Sequence, residues 1–383
     1  MGTVSFPGLG LEFHLNRVAF HIGSWPVYWY GIIIAAGFLL AVLYCCHAAK
    51  RFGIKQDDII DMLFFAVPLS IVGARLYYIL FYLDLYRRED GSLDFGAMVR
   101  IWDGGLAIYG GVIMAVVVLL VFCKVRQIRF LAFADLGVFG MLIGQMIGRW
   151  GNFVNIEAYG GPTELPWRMG IYAYVDGVRQ YMEVHPTFLY ESLWNLLGFA
   201  LLVQIARRWR KFDGQMFLSY FAWYGVGRGF IEGLRTDSLM VGSFRISQVI
   251  AAVSVIAALC IWLALRKKYK DKPLTVTYTA LVKEDGRQVP YEFSWLSGET
   301  PPTDAEMKAE IERRRAARAA EETAQAEEKA PETEESGGAS GVPEQREAEA
   351  DTQAAPEEEQ AAPVQEAAAD AAEKDGSDAE PKE

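Results

Sequence analysis

The residues best suited to chemistry sit in two stretches. In Gly148-Arg149-Trp150-Gly151-Asn152-Phe153-Val154-Asn155-Ile156-Glu157, running on to Gly160, an apolar segment with glycines at 140, 144 and 148 ends in an arginine, two amides and a carboxylate. In the second, Tyr224, Arg228 and Glu232 recur at i, i+4 and i+8, so a helix would carry all three on one face. Arg75 in Gly73-Ala74-Arg75, Tyr30 beside Gly31, and His185 before Pro186 add further polar groups in or beside apolar runs. Charged groups within apolar spans are costly and tend to line a cavity. Guanidinium forks match phosphate oxygens two at a time, and the abundant phosphate in a membrane belongs to lipid headgroups. The structural alternatives are an arginine snorkelling to the headgroups, for Arg235 above all, and an i,i+4 ion pair between Arg228 and Glu232.

Other chemistries are excluded by what is missing. Four histidines with no two at ligand spacing argue against a metal site. Cys45, Cys46, Cys123 and Cys260 all lie inside apolar runs without paired spacing and read as small core residues. Gly104-Gly105 and Gly110-Gly111 lack the Lys-Ser/Thr of a phosphate loop. No cofactor and no nucleic-acid partner is expected.

The elements that must position these residues are membrane spans. Runs at about 26–47, 57–83, 104–123, 131–150, 187–206, 214–233 and 245–265 approach the roughly 20 apolar residues that cross a bilayer. Glycine at every fourth position in the fourth run clears one face for a neighbouring helix. Residues 1–25 are expected to form an interfacial segment, and their lack of a basic opening favours a retained first span over a cleaved signal. Basic clusters at Lys50-Arg51, Lys124-Arg126-Arg129, Arg207-Arg208-Arg210-Lys211 and Arg266-Lys267-Lys268 fall in alternate loops. The positive-inside rule then puts the N-terminus outside and the C-terminus in the cytoplasm. The intervening loops 84–103 and 151–186 would form a small external cap. Leu274 to Val282 has the period of a short strand. Residues 301–383 carry 25 acids against nine bases, whereas the first 300 carry 23 against 28. That tail has too little apolar surface to offset its ordering entropy and reads as disordered, apart from a helix of alternating charge expected over 304–325. The fold class is all-α: a polytopic membrane protein of about seven transmembrane helices, with a small external cap and a disordered cytoplasmic tail.

The run from Gly148 to Glu157 and Gly160 resembles the hallmark of the bacterial prolipoprotein diacylglyceryl transferases. Tyr30-Gly31, Gly73-Ala74-Arg75, Gly104-Gly105, Gly110-Gly111, His185-Pro186 with Leu189-Tyr190-Glu191, and Tyr224 to Arg235 match in the same order. The resemblance covers about residues 10–270. It implies a bacterial cytoplasmic-membrane enzyme that moves the diacylglyceryl group of phosphatidylglycerol to the lipobox cysteine thiol of a prolipoprotein signal peptide. A thioether forms and glycerol 1-phosphate leaves. By position, Arg149 and Arg228 match functional arginines, while Asn152, Glu157 and Gly160 match the conserved polar stretch. Tyr30 and Tyr224 match cavity tyrosines and Glu232 their partner carboxylate; Arg75 joins them as a candidate ligand for the donor lipid. Many members carry His before the second Gly-Gly, where this chain has Tyr109. Tyr is a poor base at neutral pH, so Tyr109 is expected to act as a donor, and His185 and Glu157 are the open candidates for thiol activation. Residues 1–270 are then the catalytic membrane domain, 271–300 a short cytoplasmic segment and 301–383 a dispensable acidic tail.

Two other classes compete. An anion or lipid transporter would use the same arginines, but such proteins commonly show repeats with matching interrupted spans, and none is found here. A scaffold with an acidic recruiting tail would leave the intramembrane charges without a purpose that matches their cost.

Overall fold

In hydrocarbon, a backbone must satisfy its own N–H and C=O groups, so long apolar runs fold as helices. The computed structural model describes residues 2–88, 90–175, 178–235, 240, 241 and 244–328. The chain opens with four short strands, β1 (Gly2–Phe6), β2 (Leu11–Leu15), β3 (Val18–Ile22) and β4 (Trp25–Tyr28). Helices α1 (Trp29–Ala48), α2 (Gln56–Phe81), the short α3 (Phe95–Val99), α4 (Ile108–Val125) and α5 (Phe130–Asn155) follow. Strands β5 (Met169–Val175) and β6 (Val178–Val184) lead to α6 (Thr187–Arg208) and α7 (Gln215–Leu234). Two-residue strands β7 (Met240–Val241) and β8 (Phe244–Arg245) precede α8 (Ile246–Lys268). Strands β9 (Thr275–Glu284) and β10 (Arg287–Leu296), then α9 (Asp304–Glu328), close the described chain.

Among the described residues, six helices are long and apolar enough to cross a membrane: α1, α2, α4, α5, α6 and α8. Helix α7 has the length but not the apolarity, because Gln215, Ser219, Arg228 and Glu232 interrupt it. The seven-span pattern thus resolves into six plainly apolar helices and one polar helix of similar length. Leu and Phe side chains such as Leu39, Phe64, Leu80 and Leu263 stand exposed along the outer faces, as lipid-facing surfaces should.

Close helix contacts set the bundle's geometry. A Cβ on Gly140 would sit 3.2 Å from Cys45 Sγ, and one on Gly148 3.3 Å from Ile34 Cδ1, so two of the three spaced glycines of α5 face α1. Gly144 meets nothing within 4 Å and takes no part in that contact. Helices α2 and α4 approach backbone to backbone, since a Cβ on Gly110 would lie 2.4 Å from Gly73 O. Between α6 and α7, the Trp194 and Trp223 rings stack at 4.3 Å. Each indole N–H donates to the other residue's carbonyl, at 3.1 and 3.0 Å. Asp135 of α5, fully buried, accepts from Gly214 N and Phe217 N at 2.9 Å each. It thereby satisfies orphan donors at the N-terminus of α7.

The segment before α1 folds as the short strands β1 to β4. The four-stranded sheet has the order β2-β1-β5-β6, antiparallel throughout, with Val4 opposite Ile171. Alternation explains it: Val4 and Phe6 point inward and bury against Met169, Ile171, Val184 and Phe188. This small core sits on the end of α5 and the start of α6. The segment from Leu274 to Val282 forms β9, and β10 pairs with it in register from Thr275↔Leu296 to Glu284↔Arg287. The Asp285-Gly286 turn takes positive φ at both residues, as a tight hairpin requires. Met307 and Ile311 of α9 pack on the hairpin face that holds Tyr278, Tyr291 and Phe293. The disorder expected beyond residue 328 falls outside the described residues.

Candidate functional site

Helices α5, α6 and α7 each bring charge to one place. Glu191 of α6, 3% exposed, lies between two arginines: Oε2 is 2.6 Å from Arg149 Nε, and Oε1 3.2 Å from Arg228 Nη1. Arg228 Nη2 also meets Glu232 Oε2 at 2.6 Å, one turn further along α7. Arg149 Nη1 donates to Asn152 Oδ1 at 3.1 Å, and Asn152 Nδ2 donates to Glu157 Oε1 at 2.8 Å. A continuous chain of contacts thus runs from Glu232 through Arg228, Glu191, Arg149 and Asn152 to Glu157. Two guanidiniums this close would repel each other; the shared carboxylate holds them together. Both arginine side chains remain 23% exposed, which leaves an edge open to a ligand, whereas the two glutamates behind them are shut in.

Aromatic groups brace this network. Tyr224, one turn before Arg228, stacks on Tyr220 with centroids 5.6 Å apart, and Tyr220 OH accepts from Gln145 Nε2 of α5 at 2.8 Å. Trp150 Nε1 donates to Ser192 Oγ at 3.2 Å, and Ser192 Oγ to Met146 O at 2.9 Å, tying α5 to α6 one residue from each of Arg149 and Glu191. The Tyr30 ring lies so close over Gly151 that a Cβ there would come within 2.7 Å of it.

The loop that follows α5 is bent sharply. Ile156 and Ala158 both have positive φ, 55° and 56°, a costly conformation for a β-branched residue. The turn points Glu157 back toward Asn152, and backbone strain of this kind is typical of functional sites. Gly160 is buried against His185: a Cβ would meet His185 Cβ at 2.7 Å and Leu234 O at 2.9 Å. Gly160 N donates to His185 O at 3.0 Å, and His185 N to Gly161 O at 3.0 Å. The His185 ring shares a hydrogen bond of 3.3 Å with Tyr190 OH, which itself accepts from Trp167 Nε1 at 2.8 Å. Burial pushes the His185 pKa below its usual value, which favours the neutral ring.

Two expected site residues make no contact with this network. Arg75 is buried, and its five N–H groups go to five carbonyls of the 97–105 loop: Ala97, Met98, Arg100, Gly104 and Gly105, at 2.5–3.0 Å. Each guanidinium N–H of Arg75 is thus taken up by a carbonyl of this segment. Tyr109, in the first turn of α4, is 67% exposed and shares none of the network's hydrogen bonds. The sequence alone gives Glu191 no role beyond its run with Leu189 and Tyr190, yet the structure puts it at the centre. The signal was available: Glu191 is the single acid in the apolar stretch 187–208. Asp135 carries the same signal in 130–155, and its role is structural.

No group of three or more His, Cys, Asp or Glu placed to hold a metal ion occurs among the described residues. A family model described as prolipoprotein diacylglyceryl transferase matches residues 17–264. A Finegoldia magna protein named phosphatidylglycerol–prolipoprotein diacylglyceryl transferase is 44% identical over 254 residues, 66% of this chain and 97% of that protein. Proteins of the same name from Listeria welshimeri and Clostridioides difficile are each 42% identical. The first aligns over 267 residues, 68% of this chain and 92% of its own length. The second aligns over 257 residues, 67% and 98%. The family match ends within α8, so the β9–β10 hairpin and α9 lie beyond it.

Proposed function

The chain belongs to the prolipoprotein diacylglyceryl transferase family, and we propose that its Arg149–Glu191–Arg228 network carries the transfer. The reaction moves the diacylglyceryl group of phosphatidylglycerol to the lipobox cysteine of a prolipoprotein. The open edges of Arg149 and Arg228 receive the phosphodiester. The cysteine sulfur attacks the glyceryl carbon; the S–C bond forms as the C–O bond to phosphate breaks. The electron pair leaves with the phosphate oxygen as glycerol 1-phosphate, and the thiol proton passes to a base. Charge grows on the departing phosphate in the transition state, where preorganised guanidiniums stabilise most. Glu191 and Glu232 hold those guanidiniums in place beforehand, and Asn152 and Glu157 extend the hold to the bent loop. Tyr30, Tyr224 and Gly160 shape the walls.

For the base, chemistry favours His185 over Glu157. Glu157 already accepts from the side-chain amides of Asn152 and Asn155, whereas burial favours the neutral His185 ring, the form that can take a proton. Tyr109 and Arg75 have no part in this step. The basic clusters in alternate loops support a site facing the outer leaflet of the bacterial inner membrane, with the N-terminus outside and the acidic C-terminal tail in the cytoplasm. Residues 1–270 form the catalytic domain; 271–300 and the tail beyond are additions to it.

The observation that carries the reading is one buried carboxylate clamping two partly open arginines from different helices. The test is transfer from labelled phosphatidylglycerol to a lipobox peptide by purified protein. Arg149→Ala should lose acylated peptide while remaining folded. Full transfer by that variant would return the network to a structural role and reopen the lipid-transport reading.

A further inference from the structure

A second cluster of arginines lies at the other end of the bundle. A cavity of about 500 Å³ is bounded by the ends of α1, α5 and α6 on one side and by the β9–β10 hairpin on the other. Arg51, Arg207 and Arg210 line it, with apolar wall from Phe52 and Val203 and with Ser297–Pro301 across the mouth. Arg210 is accounted for: it is buried, pairs with Asp135 and Asp213 at 3.5 and 2.7 Å, and covers the Phe52 ring at 4.2 Å. Arg51 and Arg207 are not, for neither side chain makes an ion pair or hydrogen bond among the described residues. A cation at a helix C-terminus complements the helix dipole, which explains one arginine at each end but not their convergence on a shared cavity. The one lining carboxylate, Glu299, is turned to its own backbone, accepting from Leu296 N at 2.9 Å.

We propose that this cavity, at the seam between the family's helices and the appended hairpin, is a binding site for a phosphate group held by Arg51 and Arg207. Two sources share that chemistry, a phospholipid headgroup and free phosphate. The apolar wall running up α1 and α6 suits a lipid. Because the hairpin supplies one side of the cavity and lies beyond the family match, the site belongs to this extended chain and not to the transferase core. It is independent of the transfer reading.

Full-length protein in phosphatidylcholine nanodiscs is titrated calorimetrically with inorganic phosphate in one arm and dihexanoyl phosphatidylserine in the other. Saturable binding is expected in at least one arm. It should weaken about tenfold in Arg51→Gln and in Arg207→Gln, the loss of one charge-assisted contact, and strengthen in Glu299→Gln. Arg149→Ala, which removes the transfer site's own phosphate contact on the reading above, should leave unchanged the component that Arg51→Gln and Arg207→Gln weaken. Binding of the phospholipid alone identifies a headgroup site, and binding of inorganic phosphate alone a free-anion site. No binding in either arm, or binding indifferent to all three cavity substitutions, overturns the proposal.

Discussion

Replacing Glu191 by glutamine keeps the side chain's shape and removes one charge from between two arginines. The carboxylate is buried and sits 2.6 Å from Arg149 Nε and 3.2 Å from Arg228 Nη1. Breaking a buried pair by neutralising one member costs about 3–5 kcal/mol. Here the low end applies, because Arg149 keeps Asn152 and Arg228 keeps Glu232, and water reaches part of each guanidinium. At 1.36 kcal/mol per factor of ten, a loss of about 3 kcal/mol in positioning is about a hundredfold in rate. The loss should fall mainly on kcat: the site becomes more positive, so phosphate binding is retained while the arginines lose their alignment. Labelled phosphatidylglycerol and a lipobox peptide give kcat and KM separately, and the Trp194–Trp223 contact between α6 and α7 should keep the variant folded. Transfer within about threefold of wild type, about 0.6 kcal/mol where about 3 kcal/mol is expected, would refute the argument that Glu191 organises the pair.

Arg75→Lys replaces five donors by three and strands at least two carbonyls of the 97–105 loop. At about 1–3 kcal/mol for each unpaired buried group, thermal unfolding in detergent should move clearly downward while KM for phosphatidylglycerol stays put; a raised KM at unchanged stability would restore Arg75 to the donor site. Burial holds the His185 pKa below its usual value, so the neutral base persists as pH falls past about 6.5, and the acid limb of kcat/KM should lie below that pH. The sign for stability agrees, since the unfolded ring binds a proton first and folding weakens only as pH drops. An acid limb that survives His185→Asn would move the base to Glu157. A chain ending near residue 275 should keep full transfer but melt earlier. It loses the hairpin packed against the Gly53 turn, where Thr277 O approaches, and the Arg129 contact to Thr275 O at 3.3 Å; lost transfer with normal membrane insertion would make the extension part of the enzyme.

Much of this protein is local and therefore legible in its sequence. A span in hydrocarbon has no partner for its backbone but itself, so apolar runs and their lengths announce α1, α2, α4, α5, α6 and α8 without reference to anything distant. Helical periodicity likewise placed Arg228 and Glu232 on one face of α7, and they pair there. Arg149, Asn152 and Glu157 lie within nine residues of one another and remain neighbours because the chain between them turns back at Ile156. Partnerships across elements were decided by tertiary packing. Glu191 is 42 residues from Arg149 and 37 from Arg228, and it meets both only because α6 is rotated and held by the Trp194–Trp223 and Trp150–Ser192 contacts. Arg75 showed the same intramembrane charge signal as Arg149, yet five carbonyls claim it. Strand β1 joined β5 some 165 residues away, a pairing that no local periodicity states. Helix identity follows from a segment's own hydrogen bonds; which face meets which neighbour depends on close packing among all the helices together, and the network of Arg149, Glu191 and Arg228 is a product of that packing.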